Sequence, residues 1–185
     1  MSQKKSMPEL ERKSVDEFKQ SEKMPVVVVL DDVRSMNNVG SVFRTADSFL
    51  VSEICLCGYT PTPPHRDIQK TALGATETVA WTHYATTLEA VQALKQQGYH
   101  IFSVEQVHGS TMLHEVQIQT DIRYALVFGN EVNGVDSDVI ALSDGVIEIP
   151  QLGSKHSLNI SVSAGIVLWE FSKKYLTKRM KQIRN

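Results

Sequence analysis

Residues 25–33 read PVVVVLDDV, with four consecutive valines followed by leucine. Successive side chains of a strand point to opposite faces, so an unbroken apolar run needs cover on both sides. The run has strand length and is too short to span a membrane. A strand of this kind belongs to a parallel sheet with helices on both faces, and that narrows the fold before any other residue is considered.

The rest of the chain repeats the pattern. "EICLCGY", "HIFSVEQ", "RYALVFGN" and "GVIEIP" read as further strands. Helices alternate with them. "VGSVFRTADSFL" carries Val39, Val42, Phe43, Ala46 and Leu50 on one stripe, behind a loop at Arg34–Asn38. "TLEAVQALKQQGY" is amphipathic, "DSDVIALSDG" is short and capped, and a terminal helix runs from Asn159 to about Leu176. Alternation of this kind predicts an α/β fold, a doubly wound parallel sheet whose ligands gather at the carboxyl ends of the strands.

A length of 185 residues suits one domain with a core of its own. The expected divisions are a polar arm at 1–23 (loose, or a short amphipathic helix), the folded domain at 24–176 and a basic tail at 177–185. A formal charge of -2 gives no global basic field, although a local patch could still meet a nucleic acid. Cys55 and Cys57 alternate within one strand and read as small hydrophobes, with neither metal spacing nor a disulfide framework. With no signal peptide and no apolar membrane-length run, the chain reads as cytoplasmic.

Three loops carry candidate chemistry. In "NNVGSVFRTAD" Asn38 can cap the helix, and a helix N-terminus favours anions. Gly40 and Arg44 are four apart, and helical side chains lean toward the N-terminus, so Arg44 is expected to reach back over the bare Gly40. An ordinary surface arginine is the plainer alternative. In "FGNEVNGV" Gly129 and Gly134 permit close backbone approach, and Glu131 sets a carboxylate at a strand end. A solvated Gly/Asn-rich turn is the alternative there. In "IPQLGSKHSLNIS", and on through Ser161, Ser163, Ala164 and Gly165, small residues occupy a segment where a helix core should be large. Close approach by a ligand or another segment accounts for them, as does a tight helix–sheet contact.

Other signals are absent or weak. No G-x-G-x-x-G or P-loop follows a strand, and "HRD" at His65 lacks the rest of a kinase catalytic loop. The histidines show no metal-ligand spacing. The Pro-rich loop "TPTPPHRD" is too long for a plain connection, which points to function. The tail carries Lys173, Lys174, Lys178, Arg179, Lys181 and Arg184, either a solvated helix face or a phosphate-tracking patch.

Taken together and in this order, N-x-G-x-x-x-R-T at Asn38–Thr45, F-G-x-E-x-x-G at Phe128–Gly134, and I-P followed by S-L-N-x-S within Ile149–Ser161 resemble the three motifs of the SpoU (TrmH-like) RNA 2′-O-methyltransferases. These belong to the SPOUT superfamily, and the resemblance covers about Val26–Leu176. It implies a Rossmann-like parallel sheet with a C-terminal deep trefoil knot, the last helix threaded through a loop, and a homodimer. It implies S-adenosylmethionine as cofactor, held in the knot near Gly129, Ile149 and Leu158, with Val104 lining the pocket. Arg44 becomes the catalytic arginine and Asn38 its polar support, with Glu131, Ser157 and Asn159 completing the site.

The implied activity is methyl transfer to a ribose 2′-hydroxyl of tRNA or rRNA, with no metal and no membrane. Knot, cofactor and dimer partner would crowd the backbone at Ser161–Gly165. The arm is too short to be a separate RNA-binding domain, so RNA capture would rely on the arm together with Arg66 and Lys70 of the Pro-rich loop and Lys178 and Arg179 of the basic tail. Arg44 as a true base sits badly with a guanidinium that stays protonated, so positioning and charge stabilisation are the preferred role. Gln151 departs from the usual Met after Ile-Pro. Two other readings stay open: a non-catalytic RNA-binding protein of the same fold, and an unrelated flavodoxin-like nucleotide binder.

Overall fold

The computed structural model describes residues 4, 6, 12–155 and 157–184, and for 178–184 the backbone only. Strand β1 (Met24–Asp31) is the valine run. Val26, Val28 and Leu30 enter one core, whereas Val27 and Val29 enter a second core on the opposite face. β1 pairs in parallel with β2 (Val51–Cys57) on one side and β6 (Tyr124–Phe128) on the other. With β3 (Ala80–Tyr84), β4 (His100–Val104), β5 (Thr111–Met112) and β7 (Gly145–Glu148) they form a seven-stranded parallel sheet, ordered β3-β2-β1-β6-β4-β7-β5.

Helices cover both faces. The larger core holds α2 (Met36–Ser48) and α7 (Ile160–Arg184), whose Val39, Val42, Phe43, Ala46, Ala164, Leu168 and Phe171 are buried. On the opposite face α5 (Thr87–Gln96) and α6 (Ser137–Leu142) supply Ala90, Val91, Leu94 and Val139. Cys55 and Cys57 lie in this second core, and burial pushes the Cys57 thiol up to about 12. Removing a fully buried ring such as Phe43 or Phe171 would cost about 3–5 kcal/mol.

Within the polar arm, α1 (Val15–Gln20) has a capping box between Ser14 and Glu17 and seats Phe18 in the core. Several details differ from the sequence reading. Ser35, not Asn38, caps α2, its hydroxyl accepting from the Asn38 amide at 3.3 Å, so the helix begins before the expected loop has ended. The Pro-rich stretch leads into α3 (Arg66–Ala72) and α4 (Ala75–Thr78) before the unanticipated edge strand β3. β5 is a second unanticipated edge strand, of two residues. α7 continues to Arg184, so the basic tail extends the helix. Among the described residues no helix is long and apolar enough to cross a membrane.

Chain order reverses around β1 and β6: β1, β2 and β3 build outward one way, and β4 and β7 the other. The carboxyl ends of parallel strands beside such a reversal form the crevice where α/β sheets bind ligands.

Candidate active site

A cavity of about 710 Å³ opens at that edge, within the usual range for a small-molecule site. Its walls come from the ends of β4 and β6 and from the segment after β7. Val104, Gly129, Ile149 and Leu158, the expected cofactor residues, all line it, as do Glu131, Ser157 and Asn159. Gln151 also lines it, so the departure from the family's Met places an amide on the wall. Among the described residues no lysine or arginine lines it, whereas Glu105 and Glu131 do. A cationic ligand suits such walls better than an anionic one.

The turn after β6 is built closely. Asn130 and Gly134 bond reciprocally through their backbones, at 2.9 and 3.0 Å. A Cβ on Gly129 would stand 2.0 Å from the Gly134 carbonyl carbon, so no side chain fits there. Gly134 takes a positive φ of 70°, and the Glu105 carboxylate lies against it, accepting from the Val135 amide at 3.1 Å. Asn130, buried, donates to the Asp32 carbonyl at 2.7 Å and accepts from the Val132 and Asn133 amides at 2.8 and 3.2 Å. Neither Asn130 nor Glu105 was singled out from sequence. An Asn inside a Gly-rich turn, and a carboxylate one residue past a strand end, were the available signals.

The three candidate loops meet in one hydrogen-bonded chain. Asn159 Nδ2 donates to Asn38 Oδ1 at 3.1 Å, and Asn38 Nδ2 donates to Glu131 Oε1 at 3.1 Å. Glu131 also accepts the Arg34 and Ser35 amides, each at 3.1 Å. Asn159 Oδ1 in turn accepts from the Ser161 amide at 2.9 Å, which anchors it at the start of α7. Partial burial pushes the Glu131 carboxyl upward, but donors from Arg34, its own backbone, Asn38 and Ser35 outweigh that and hold it below its ordinary value. Glu131 is therefore an ionised acceptor at neutral pH.

Arg44 stands apart. It is exposed on α2, does not line the cavity, and its side chain makes no hydrogen bond or ion pair among the described residues. Gly40 is not bare in front of it. A Cβ there would meet Thr71 Oγ1 at 2.1 Å and the Ile68 carbonyl at 2.3 Å, so the glycine lets α3 pack on α2. Arg66 and Lys70 are exposed on α3, one turn apart. The side chains of Lys178 and Arg179 lie outside the described residues. Among the described residues no group of His, Cys, Asp and Glu gathers to hold a metal.

The crowding expected at Ser161–Gly165 is uneven. Ala164 is fully buried, but a Cβ on Gly165 would meet nothing within 4 Å of its own chain. Around Gly165 on the same face of α7, Val162, Ile166 and Trp169 are exposed. The room kept at Gly165 is on the outer side of α7, away from the core.

The model of the SpoU rRNA methylase family matches residues 25–169. A tRNA (guanosine(18)-2′-O)-methyltransferase of Thermus thermophilus is 29% identical over 91% of this chain and 84% of its own length. The 23S rRNA (guanosine-2′-O-)-methyltransferase RlmB of Vibrio parahaemolyticus is 30% identical over 88% of this chain and 64% of its own. Among solved structures, an AdoMet-bound rRNA methyltransferase from Sinorhizobium meliloti superposes with a TM-score of 0.76 at 26% identity, over 88% of this chain and 60% of that one. An A. aeolicus TrmH/SpoU tRNA-modifying enzyme shares the fold with a TM-score of 0.79 at 24% identity, over 90% and 83% of the two chains.

Proposed function

The chain belongs to the SpoU rRNA methylase family, and on that premise we propose that it methylates the ribose 2′-hydroxyl of an RNA, tRNA or rRNA, using S-adenosylmethionine. The observation that carries the reading is the Asn159–Asn38–Glu131 chain, which ties all three motifs together at the mouth of a single cavity. Walls that carry carboxylates and, among the described residues, no lysine or arginine fit a sulfonium. When bound, the cofactor supplies an electrophilic methyl whose sulfur leaves as a neutral thioether. Val104, Gly129, Ile149 and Leu158 hold it, largely through backbone groups.

The attacking hydroxyl is a weak nucleophile that must shed its proton as the oxygen–carbon bond forms. Arg44 stays protonated, so it orients the neighbouring phosphate and stabilises negative charge on the attacking oxygen. Glu131 keeps its negative charge and fixes Asn38 and the Arg34–Ser35 turn, and Ser157 and Asn159 orient the substrate side of the cavity. Positioning of this kind alone supplies several kcal/mol of catalysis, of order 7 kcal/mol in well-oriented cases.

Arg44 is absent from the cavity lining of its own chain, which supports a two-fold homodimer with shared sites. The exposed Val162, Ile166 and Trp169, with Gly165 open between them, offer the surface for it. The reading includes a trefoil knot, with α7 threaded through the loop after β7. It is supported by β7 lying between β4 and β5 while the segment that follows β7 lines the same cavity as the ends of β4 and β6. RNA is gripped by Arg66, Lys70, Lys178 and Arg179, and the setting is the cytoplasm.

The test is incubation of the protein with methyl-labelled S-adenosylmethionine and bulk tRNA or rRNA, followed by digestion to nucleosides. Label in 2′-O-methyl nucleosides is expected. Binding of both cofactor and RNA without transfer would favour the non-catalytic alternative.

A further inference from the structure

Of the five tyrosines, four are buried or half-buried, whereas Tyr59 is 80% exposed. A single exposed aromatic needs no ligand to explain it. What sets Tyr59 apart is how firmly its backbone is held, and where.

It follows β2 at the carboxyl edge of the sheet. The Tyr59 amide donates to Asp32 Oδ1 at 2.7 Å, and Asp32 itself has a positive φ of 51°. Gly58, at φ 59°, lies so close that a Cβ would sit 2.1 Å from the same carboxylate oxygen. The Gly58 amide donates to the Tyr84 carbonyl at 3.1 Å. On the other side, Thr60 is buried, with its hydroxyl donating to the Leu30 carbonyl at 3.1 Å and accepting from the Val33 amide at 3.0 Å. A large, stiff, apolar ring is thus presented to solvent on a fixed mount, which keeps the entropy lost on contact small.

The mount is continuous with the active site. Asp32 and Val33 hold the turn, and the next residue, Arg34, donates its amide to Glu131. Three exposed cations lie on the neighbouring elements, Arg34 past the turn and Arg66 and Lys70 on α3, against the Asp32 carboxylate that the turn uses and the exposed Asp67 of α3. Lys70 adjoins Thr71, whose hydroxyl donates to the Asn37 carbonyl of the first motif at 3.1 Å. An aromatic face among cations, beside the reacting centre, suits a ligand with both a flat π-surface and phosphates. Unpaired RNA is such a ligand, whereas duplex RNA hides its bases.

We propose that Tyr59 is a stacking platform for an unpaired nucleobase of the substrate RNA, with Arg34, Arg66 and Lys70 holding the flanking phosphates. The inference rests on the reading of the chain as an RNA methyltransferase and adds to it a substrate class, RNA single-stranded at the target. A Tyr59→Ala variant should bind labelled bulk tRNA or rRNA more weakly by roughly fivefold to a hundredfold, in the range seen for loss of one stacked base. It should raise KM for RNA far more than it lowers kcat. Tyr59→Phe should behave as wild type, because stacking does not need the hydroxyl. S-adenosylmethionine titration and thermal melting should be unchanged in both, since the ring is outside the cavity and the core.

Wild-type RNA affinity in Tyr59→Ala, or an equal loss in Tyr59→Phe, would overturn the stacking role while leaving methyl transfer intact. A wild-type protein that neither binds RNA nor transfers methyl would overturn the parent reading and this one together.

Discussion

Glu131 and Arg44 are both charged, exposed and part of the family motifs, yet the fold treats them oppositely. Glu131 accepts three hydrogen bonds, one from Asn38 of the first motif and two from the Arg34 and Ser35 amides just before it, and sits on the wall of a formed cavity. The Arg44 guanidinium has no partner among the described residues and no place on that wall. The same division runs along the carboxyl edge. The turn after β6 is braced by Asn130 and Glu105, while Tyr59, Arg66 and Lys70 face solvent. One region is finished within a single chain; the other is complete only when something else arrives. That difference is what the proposed division into a cofactor pocket and a substrate surface rests on.

The sharpest way to break the division is Arg44→Ala. Methyl transfer should fall by about a thousandfold, the scale of losing a group that stabilises charge in the transition state. Cofactor affinity in calorimetric titration should stay within a few-fold. A large loss of cofactor binding would join the two regions into one.

Gly129→Ala strikes the other side. Its Cβ would collide with backbone at 2.0 Å, so the turn after β6 must open. A stability loss of about 1–3 kcal/mol is expected from such overpacking. Cofactor affinity should drop about tenfold, because the displaced backbone is the binding surface. Gly153→Ala is the control, since a Cβ there meets nothing within 4 Å. Equal behaviour of the two variants in melting and titration would mean that the turn is not the cofactor's seat.

The smallest effect concerns protons. Glu131 is held below its ordinary carboxylate value, so its contribution to stability is fully present above the unfolded-state pKa and fades as pH falls through the lower folded-state value. Glu131→Gln should be slightly less stable than wild type at neutral pH, and the gap should close in acid. Because the carboxylate is exposed, screening keeps the gap small. A gap that widens toward acid, measured by melting temperature against pH, would show that the hydrogen bonds from Arg34, Ser35 and Asn38 do not favour the ionised form.

The parts of the fold legible in the sequence are those where a single period dominates. β1 reads as buried on both faces because it is, and the α2 stripe Val39, Val42, Phe43 and Ala46 enters the core as its spacing requires. β3 escaped because Ala80–Tyr84 is an edge strand with mostly exposed or half-exposed side chains, leaving no alternation to detect. The cap of α2 was misplaced because Ser35 and Asn38 are both good capping residues. Tertiary contact decided between them by drawing the Asn38 side chain to Glu131. The Gly40 reading failed in the same way: a helical wheel shows Arg44 one turn on, but not α3 already occupying the space. Local pattern identifies which residues matter. It does not say which neighbour each one meets.

In the proposed homodimer the arginine of one subunit serves the cofactor pocket of the other. The direct measurement uses Arg44→Ala and Asn159→Ala, each inactive alone, co-expressed with different tags and assayed for methyl transfer. The account predicts recovery in the mixed population to at most about a quarter of wild type, because half the dimers are mixed and each contains one intact composite site. Purified mixed dimers with no methyl transfer would contradict it and place both residues in one chain's site.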